Sequence, residues 1–194
     1  MPSYSSIAVL AAKKAGLLLR KQLGRERKVA YKGAVNLVTE MDLLSEKVIV
    51  STLTRYYPNH DILAEEKGGR QGLSSFRWII DPLDGTTNYT HGFPIFCVSI
   101  ALEKKKELIL GVVYDPMRRE LFLAKKGKGA TLNGRKIHVS PTHRLSQSLL
   151  ATGFPYDLRE SPVNNFDHFQ NFALRVHAVR RAGSAALEDR KSVV

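Results

Sequence analysis

Asp81-Pro82-Leu83-Asp84-Gly85-Thr86-Thr87-Asn88 is the stretch of this sequence whose residue types and spacing can do chemistry. Its two aspartates follow the apolar run Arg77-Trp78-Ile79-Ile80, which reads as a strand and presents both carboxylates at its C-terminal edge. Pro82 fixes its own φ and stiffens the turn between them. Such a turn can aim both side chains at one point and expose the Leu83 carbonyl beside them. Two carboxylates and a carbonyl are hard oxygen ligands, suited to Mg²⁺ or Mn²⁺. Gly85 allows close backbone approach, and threonine and asparagine start helices well. A short helix beginning here would offer free N–H groups to an anion. A cation site abutting a phosphate site is what metal-assisted hydrolysis of a phosphate ester requires. The plain alternative is an acidic turn, because aspartate, proline and glycine are ordinary turn residues. The whole string placed behind an apolar strand is more specific than that.

Glu65-Glu66 stands in a similar place, after the short apolar run 61–64 and before Lys67-Gly68-Gly69. Alone it would read as two exposed glutamates on a loop. If the two strands run side by side, Glu65 comes next to Asp81 and joins the metal ligands. Lys32-Gly33-Ala34-Val35-Asn36-Leu37-Val38-Thr39-Glu40-Met41-Asp42 reads as a turn entering a helix, with Thr39 as its cap. No serine or cysteine has the setting of a nucleophile elbow.

The elements that must position these residues are legible as a helical front and a strand-rich middle. Residues 5–23 form an amphipathic pattern, with Ile7, Leu10, Ala11, Leu17 and Leu18 near helical spacing, a serine cap at 3, 5 or 6, and Gly24 as a stop. Residues 39–54 read as a second helix with Leu43, Leu44, Val48, Ile49 and Leu53 on one side. Strands are expected at 61–64, 76–80, 95–102 and 108–114, the last two joined as a hairpin through 103–107. Asn133-Gly134 is a turn signal between 120–124 and 137–139, and 162–180 returns to helical character. The order predicts an α+β or layered α/β/α architecture in one domain over 1–194, without repeats or a dividing linker.

Composition narrows the class. Apolar residues make up 43% of the 194, which excludes a disordered chain. A single cysteine, Cys97, excludes an internal disulfide framework, suits a reducing compartment, and reads as a buried inert thiol. No apolar run is long enough for a membrane span, and Lys13-Lys14 breaks the only N-terminal apolar stretch, so a cytoplasmic protein without a membrane partner is expected. The net charge of +12 comes from short basic clusters at 25–28, 104–106, 118–119, 125–128 and 180–181. They can attract a phosphate ester or a nucleic acid, or be plain solvated surface. No aromatic residues interleave them as in nucleic-acid binding, which favours surface.

The three segments 36–42, 64–66 and 78–88 resemble, in order and spacing, the signature segments of the inositol monophosphatase family of Mg²⁺-dependent, lithium-sensitive sugar phosphatases. Gly92-Phe93-Pro94, Leu132-Asn133-Gly134-Arg135, Gly153-Phe154-Pro155-Tyr156 and the segment 181–187 extend the resemblance over about residues 5–187. The resemblance implies that Glu65, Asp81 and the Leu83 carbonyl hold a first Mg²⁺, and that Asp81 and Asp84 hold a second, with Mn²⁺ as a substitute and a third ion in some members. It implies that Thr86, paired with Asp42, orients and helps deprotonate the attacking water. Gly85 and Thr86 would bind phosphate oxygens, Gly183, Ser184 and Ala185 would line the hydroxyl-bearing part of the substrate, and Lys32 would lie near the phosphate. The expected activity is direct in-line hydrolysis of inositol monophosphate by a homodimer, without a phosphoenzyme.

Family members continue past Gly-Ser-Ala-Ala-Leu with a Trp-Asp-x-Ala-Ala-Gly segment whose aspartate completes the second metal site. Here Leu187 is followed by Glu188-Asp189-Arg190-Lys191-Ser192-Val193-Val194, and neither acid stands in that context. The expectation is a C-terminally truncated form, as a fragment, frameshift or degenerate paralogue, with impaired hydrolysis. Two other outcomes are carried with it. One is a non-catalytic member that meets protein or RNA through its basic surface; the other is fructose 1,6-bisphosphatase activity.

Overall fold

The structure is a computed structural model that describes residues 2–25, 29–31, 37–66, 69–155, 157–161 and 163–191. Ser3 caps helix α1 (Tyr4–Gln22), its hydroxyl accepting the Ser6 N–H at 3.2 Å, and Gly24, at φ +78°, follows its end. The buried stripe of α1 is Ile7, Ala8, Ala11, Ala12, Ala15 and Leu19, while Leu17 is about half exposed. Of the expected stripe, Ile7 and Ala11 are buried and Leu10 and Leu18 pack against the core, so only Leu17 is corrected. Small side chains let α1 lie close to the sheet, and a Cβ on Gly16 would meet the Tyr114 ring at 2.6 Å.

After the antiparallel pair β1 (Val29–Tyr31) and β2 (Leu37–Thr39) comes helix α2 (Glu40–Tyr56). Leu43 and Leu44, expected inside, are exposed. Ile49 and Leu53 are buried as expected, and the rest of the buried face is Met41 with the polar Asp42, Ser45, Glu46 and Thr52, of which Asp42, Ser45 and Glu46 bond to groups at the site.

The main sheet comprises β3 (Asp61–Ala64), β4 (Phe76–Asp84), β5 (Cys97–Lys104), β6 (Glu107–Asp115), β7 (Glu120–Lys125), β8 (Gly129–Leu132) and β9 (Arg135–Ile137), side by side in sequence order. Only β3 and β4 are parallel; all later neighbours are antiparallel. The β5–β6 turn is the two residues Lys105-Lys106, both at positive φ, the twist that a two-residue hairpin demands. Asn133 and Gly134 make the same kind of turn between β8 and β9. Trp78, Ile100, Leu102, Val98 and Phe96 are buried under α1 and α2. The short helix α3 (Thr86–Thr90) sits between β4 and β5.

Two readings of the C-terminal part are corrected. Helix α4 covers only Phe166–Ala173, and residues 178–180, expected as helix, form strand β11 (Ala178–Arg180) parallel to β10 (Leu149–Ala151). The pairing partner lies far back in the chain, so local pattern does not reveal it. Helix α5 (Ala185–Lys191) follows. Helices on a mixed sheet make this a layered α/β fold, as expected, and no helix among the described residues is long and apolar enough to cross a membrane.

Candidate active site

The site is built around the end of β4. That strand runs four residues beyond its expected limit, through Asp81-Pro82-Leu83-Asp84, so the two aspartates lie in a strand and not in a turn. Residues three apart on a regular strand face opposite sides. Here Asp81 pairs with Ser99 and Asp84 with Cys97, so β4 carries one residue more than β5 across this interval. Such a bulge reverses the alternation and turns both carboxylates to one side. Pro82 fits the irregular position, having no N–H to offer a ladder.

Parallel pairing places Ala64 opposite Ile80, so Glu65 and Asp81 are the next residues on neighbouring strands. The Asp81 carboxyl is pushed up from 3.8 to about 8 by burial, then by the negative charges of Glu65 and Asp84 and a hydrogen bond with Glu65. The Leu83 N–H, 3.1 Å from Asp81 Oδ1, opposes the rise. A buried carboxyl among like charges is what a divalent cation would relieve, and the donors are all hard oxygens, so these residues fit Mg²⁺.

The expectation that three carboxylates meet at one point is not met among the described residues, where no group of three or more acidic, His or Cys side chains encloses a cation position. Glu65 and Asp81 stand together, but Asp84 turns toward the start of α5. It accepts Ser184 Oγ–H at 2.7 Å, Ala186 N–H at 2.8 Å and Ala185 N–H at 3.1 Å. Cys97, fully buried as expected, lies behind Asp84 at 3.6 Å, and burial pushes its thiol up.

Helix α2 supplies the other half. Thr39 caps it, and a capping box forms: Asp42 Oδ2 accepts the Thr39 N–H at 2.8 Å and the Thr39 hydroxyl at 2.6 Å. This fixes the carboxylate so that Oδ1 accepts the Thr86 hydroxyl at 2.8 Å. The Leu83 carbonyl is a second acceptor for that hydroxyl at 3.1 Å. One helical step along the same face, Ser45 donates to the Pro82 carbonyl at 2.7 Å, and Glu46 accepts the Glu66 N–H at 2.8 Å. Neither was expected to serve the site. Their signal was present: Asp42, Ser45, Glu46, Ile49 and Leu53 follow the spacing of one helix face.

Gly85 stands at the N-cap of α3 with φ +100°, and a Cβ there would lie 2.9 Å from the Ile95 carbonyl. The helix expected after the second carboxylate is thus present. Gly183, Ser184 and Ala185 lie beside Asp84, with Ser184 fully buried. Lys32 lies outside the described residues. Asn88 and Glu188 are further residues at the site whose side-chain bonds sequence reasoning missed.

A layered α/β domain with hard oxygen donors gathered at one strand end, beside a glycine-led helix start, has the architecture of a phosphatase. A profile described as the inositol monophosphatase family matches residues 2–189. The structure superposes on the inositol monophosphatase of Anabaena (Nostoc) with a TM-score of 0.83 at 46% identity, covering 94% of this chain and 68% of that one. The chain is 42% identical over 197 residues to the Nus factor SuhB of Pseudomonas aeruginosa, covering 97% of this chain and 72% of that protein. A solved structure of an IMPase/NADP phosphatase complexed with Mg²⁺ and phosphate matches with a TM-score of 0.77 at 27% identity, covering 92% of this chain and 66% of the other. The chain belongs to the inositol monophosphatase family.

Proposed function

We propose that this chain is one domain whose site hydrolyses a phosphate monoester with Mg²⁺, and that the ester is an inositol monophosphate. The observation that carries the reading is the hydrogen bond from Thr86 Oγ1 to Asp42 Oδ1 at 2.8 Å, beside the Glu65–Asp81 pair. Thr86 has one proton and points it at Asp42, so its oxygen is left as an acceptor toward the site. It can accept a water's proton while passing its own to Asp42, which the Thr39 bonds hold still. The water oxygen then forms a bond to phosphorus as the ester P–O bond opposite breaks. Glu65, Asp81 and the Leu83 carbonyl would hold a first cation, and Asp81 with Asp84 a second. Bound there, Mg²⁺ supplies positive charge that acidifies water and neutralises the phosphate and leaving oxygens. The Gly85 and Thr86 N–H groups would take phosphate oxygens, with Lys32 near them, and Gly183 and Ala185 would border the hydroxyl-bearing part. The substrate reading follows the relative named as an inositol monophosphatase.

The test is Thr86→Val, which keeps shape and removes the hydroxyl. Phosphate release from inositol 1-phosphate is expected to fall by about 10² or more, while Tm drops by at most a few degrees as Asp42 Oδ1 loses a donor. Unchanged release would refute the role of this pair.

A second reading has an observation of its own. The exposed lysines of 104–106 and 125–128 occupy one end of the sheet, where the Lys126 N–H meets the Ile109 carbonyl at 3.0 Å, and Phe76, at the start of β4, pairs with Lys104. This end is remote from Asp84, and its lysines, with Lys126 paired to Glu107, would be the ones to meet an anionic partner such as RNA. Retention on immobilised RNA that survives Asp81→Asn but not Lys-to-Glu changes at 105 and 126 would favour it.

A further inference from the structure

Asp84 accepts its hydrogen bonds from the opposite end of the chain. Its Oδ2 takes the Ser184 hydroxyl and the Ala186 N–H, and Oδ1 takes the Ala185 N–H. These donors aim at Asp84 only if the chain just before α5 is fixed, and two side chains fix it. Asn88 Nδ2 spends both of its protons on carbonyls, that of Ile95 at 2.8 Å and that of Ala182 at 2.7 Å. Glu188 Oε1 accepts the Ala182 N–H and, at 2.8 Å, the Gly183 N–H. Between them Gly183 has φ +82°, and a Cβ there would lie 3.0 Å from both Asn88 amide atoms. The segment is thus clasped from α3 on one side and from α5 on the other.

The structure assigns Asn88 and Glu188 as positioning residues for Asp84, which they hold through the 182–186 segment. The inference rests on the reading of Asp84 as part of a divalent-cation site. With Oδ2 filled by two donors and the Cys97 contact, and Oδ1 by one, a single lone-pair direction on Oδ1 remains for a cation. Releasing the segment frees the carboxylate to rotate, and that direction is lost. Pre-set ligand direction is what partners beyond the ligand shell commonly provide.

The test uses three variants. Asn88→Asp keeps size but removes both donors, Glu188→Ala removes the acceptor, and Glu188→Gln keeps an acceptor oxygen. Amide hydrogen exchange at Ala185 and Ala186 is measured on the metal-free protein. It is expected to speed up by about tenfold or more in Asn88→Asp and Glu188→Ala, with Glu188→Gln near wild type and the α1 amides unchanged. Mn²⁺ affinity, read by electron paramagnetic resonance, is expected to weaken in the same two variants, and to weaken no further when Asp84→Asn is already present. Unchanged exchange at Ala185 and Ala186, exchange that rises equally in α1, or Mn²⁺ weakening that persists in full in the Asp84→Asn background would each overturn the assignment. If the wild-type chain binds no Mn²⁺, the cation-site reading falls, and the exchange result alone decides whether Asn88 and Glu188 hold Asp84.

Discussion

Metal-free protein should lose stability as pH rises, and the cause is Asp81. Its folded-state value of about 8 lies above the ordinary 3.8, so the folded chain binds a proton that the unfolded chain releases. The sign follows from linkage: the proton-bound contribution is complete below about 3.8 and disappears as pH climbs to about 8. Each pH unit inside that window withdraws about 1.4 kcal/mol, so between pH 5.5 and 8 the loss is on the order of 3 kcal/mol. In urea this is a midpoint shift of roughly 1 M or more. The assay compares urea midpoints at the two pH values for wild type and Asp81→Asn, which lacks the titrating group; the difference of slopes reports the proton whose binding depends on Asp81 and the charges beside it. Saturating Mg²⁺ should abolish the wild-type slope, because the cation takes the proton's place between Asp81 and Glu65. Calorimetric binding at pH 7 should accordingly release about one proton, seen as heats that depend on the buffer's ionisation enthalpy. Identical slopes in wild type and Asp81→Asn would refute the reasoning.

Gly85→Ala should destabilise by about 1–3 kcal/mol, because a side chain there meets both the positive φ of +100° and the Ile95 carbonyl at 2.9 Å; thermal denaturation should show a Tm lower by several degrees. His60 stacks between Tyr57 at 5.0 Å and Phe76 at 4.7 Å, and its pKa is lowered by burial and by Arg70, against an opposing effect of Asp61. The neutral ring's contribution is complete above the ordinary 6.5 and is lost as pH falls below it, so His60→Phe should flatten the fall in stability between pH 6.5 and 5, measured as urea midpoints.

Much of this site was legible because its chemistry is local in sequence. The capping box of Thr39 and Asp42 spans four consecutive residues, and the strand 61–64 ends where its apolar run ends. The Asn133-Gly134 turn is written in its dipeptide. What stayed hidden is non-local. The extension of β4 through Pro82 contradicts the usual meaning of proline and depends on a bulge against β5. The strand character of 178–180 exists only because Leu149–Ala151 lies beside it. The exposure of Leu17 and Leu43 reflects which helix face the sheet can approach closely, a matter of alanine and glycine as much as of leucine. Asn88 reads only as a helix-starting residue and Glu188 only as an acid out of place for a metal site, until the fold brings the 182–183 backbone between them.

The most direct test of the central claim is phosphate release from inositol 1-phosphate by the purified chain, with Mg²⁺ and after chelation, alongside Asp81→Asn. Release above the protein-free blank is predicted with Mg²⁺ only, and loss of that release in Asp81→Asn. Release that persists after chelation, survives Asp81→Asn, or is absent under all conditions would contradict it.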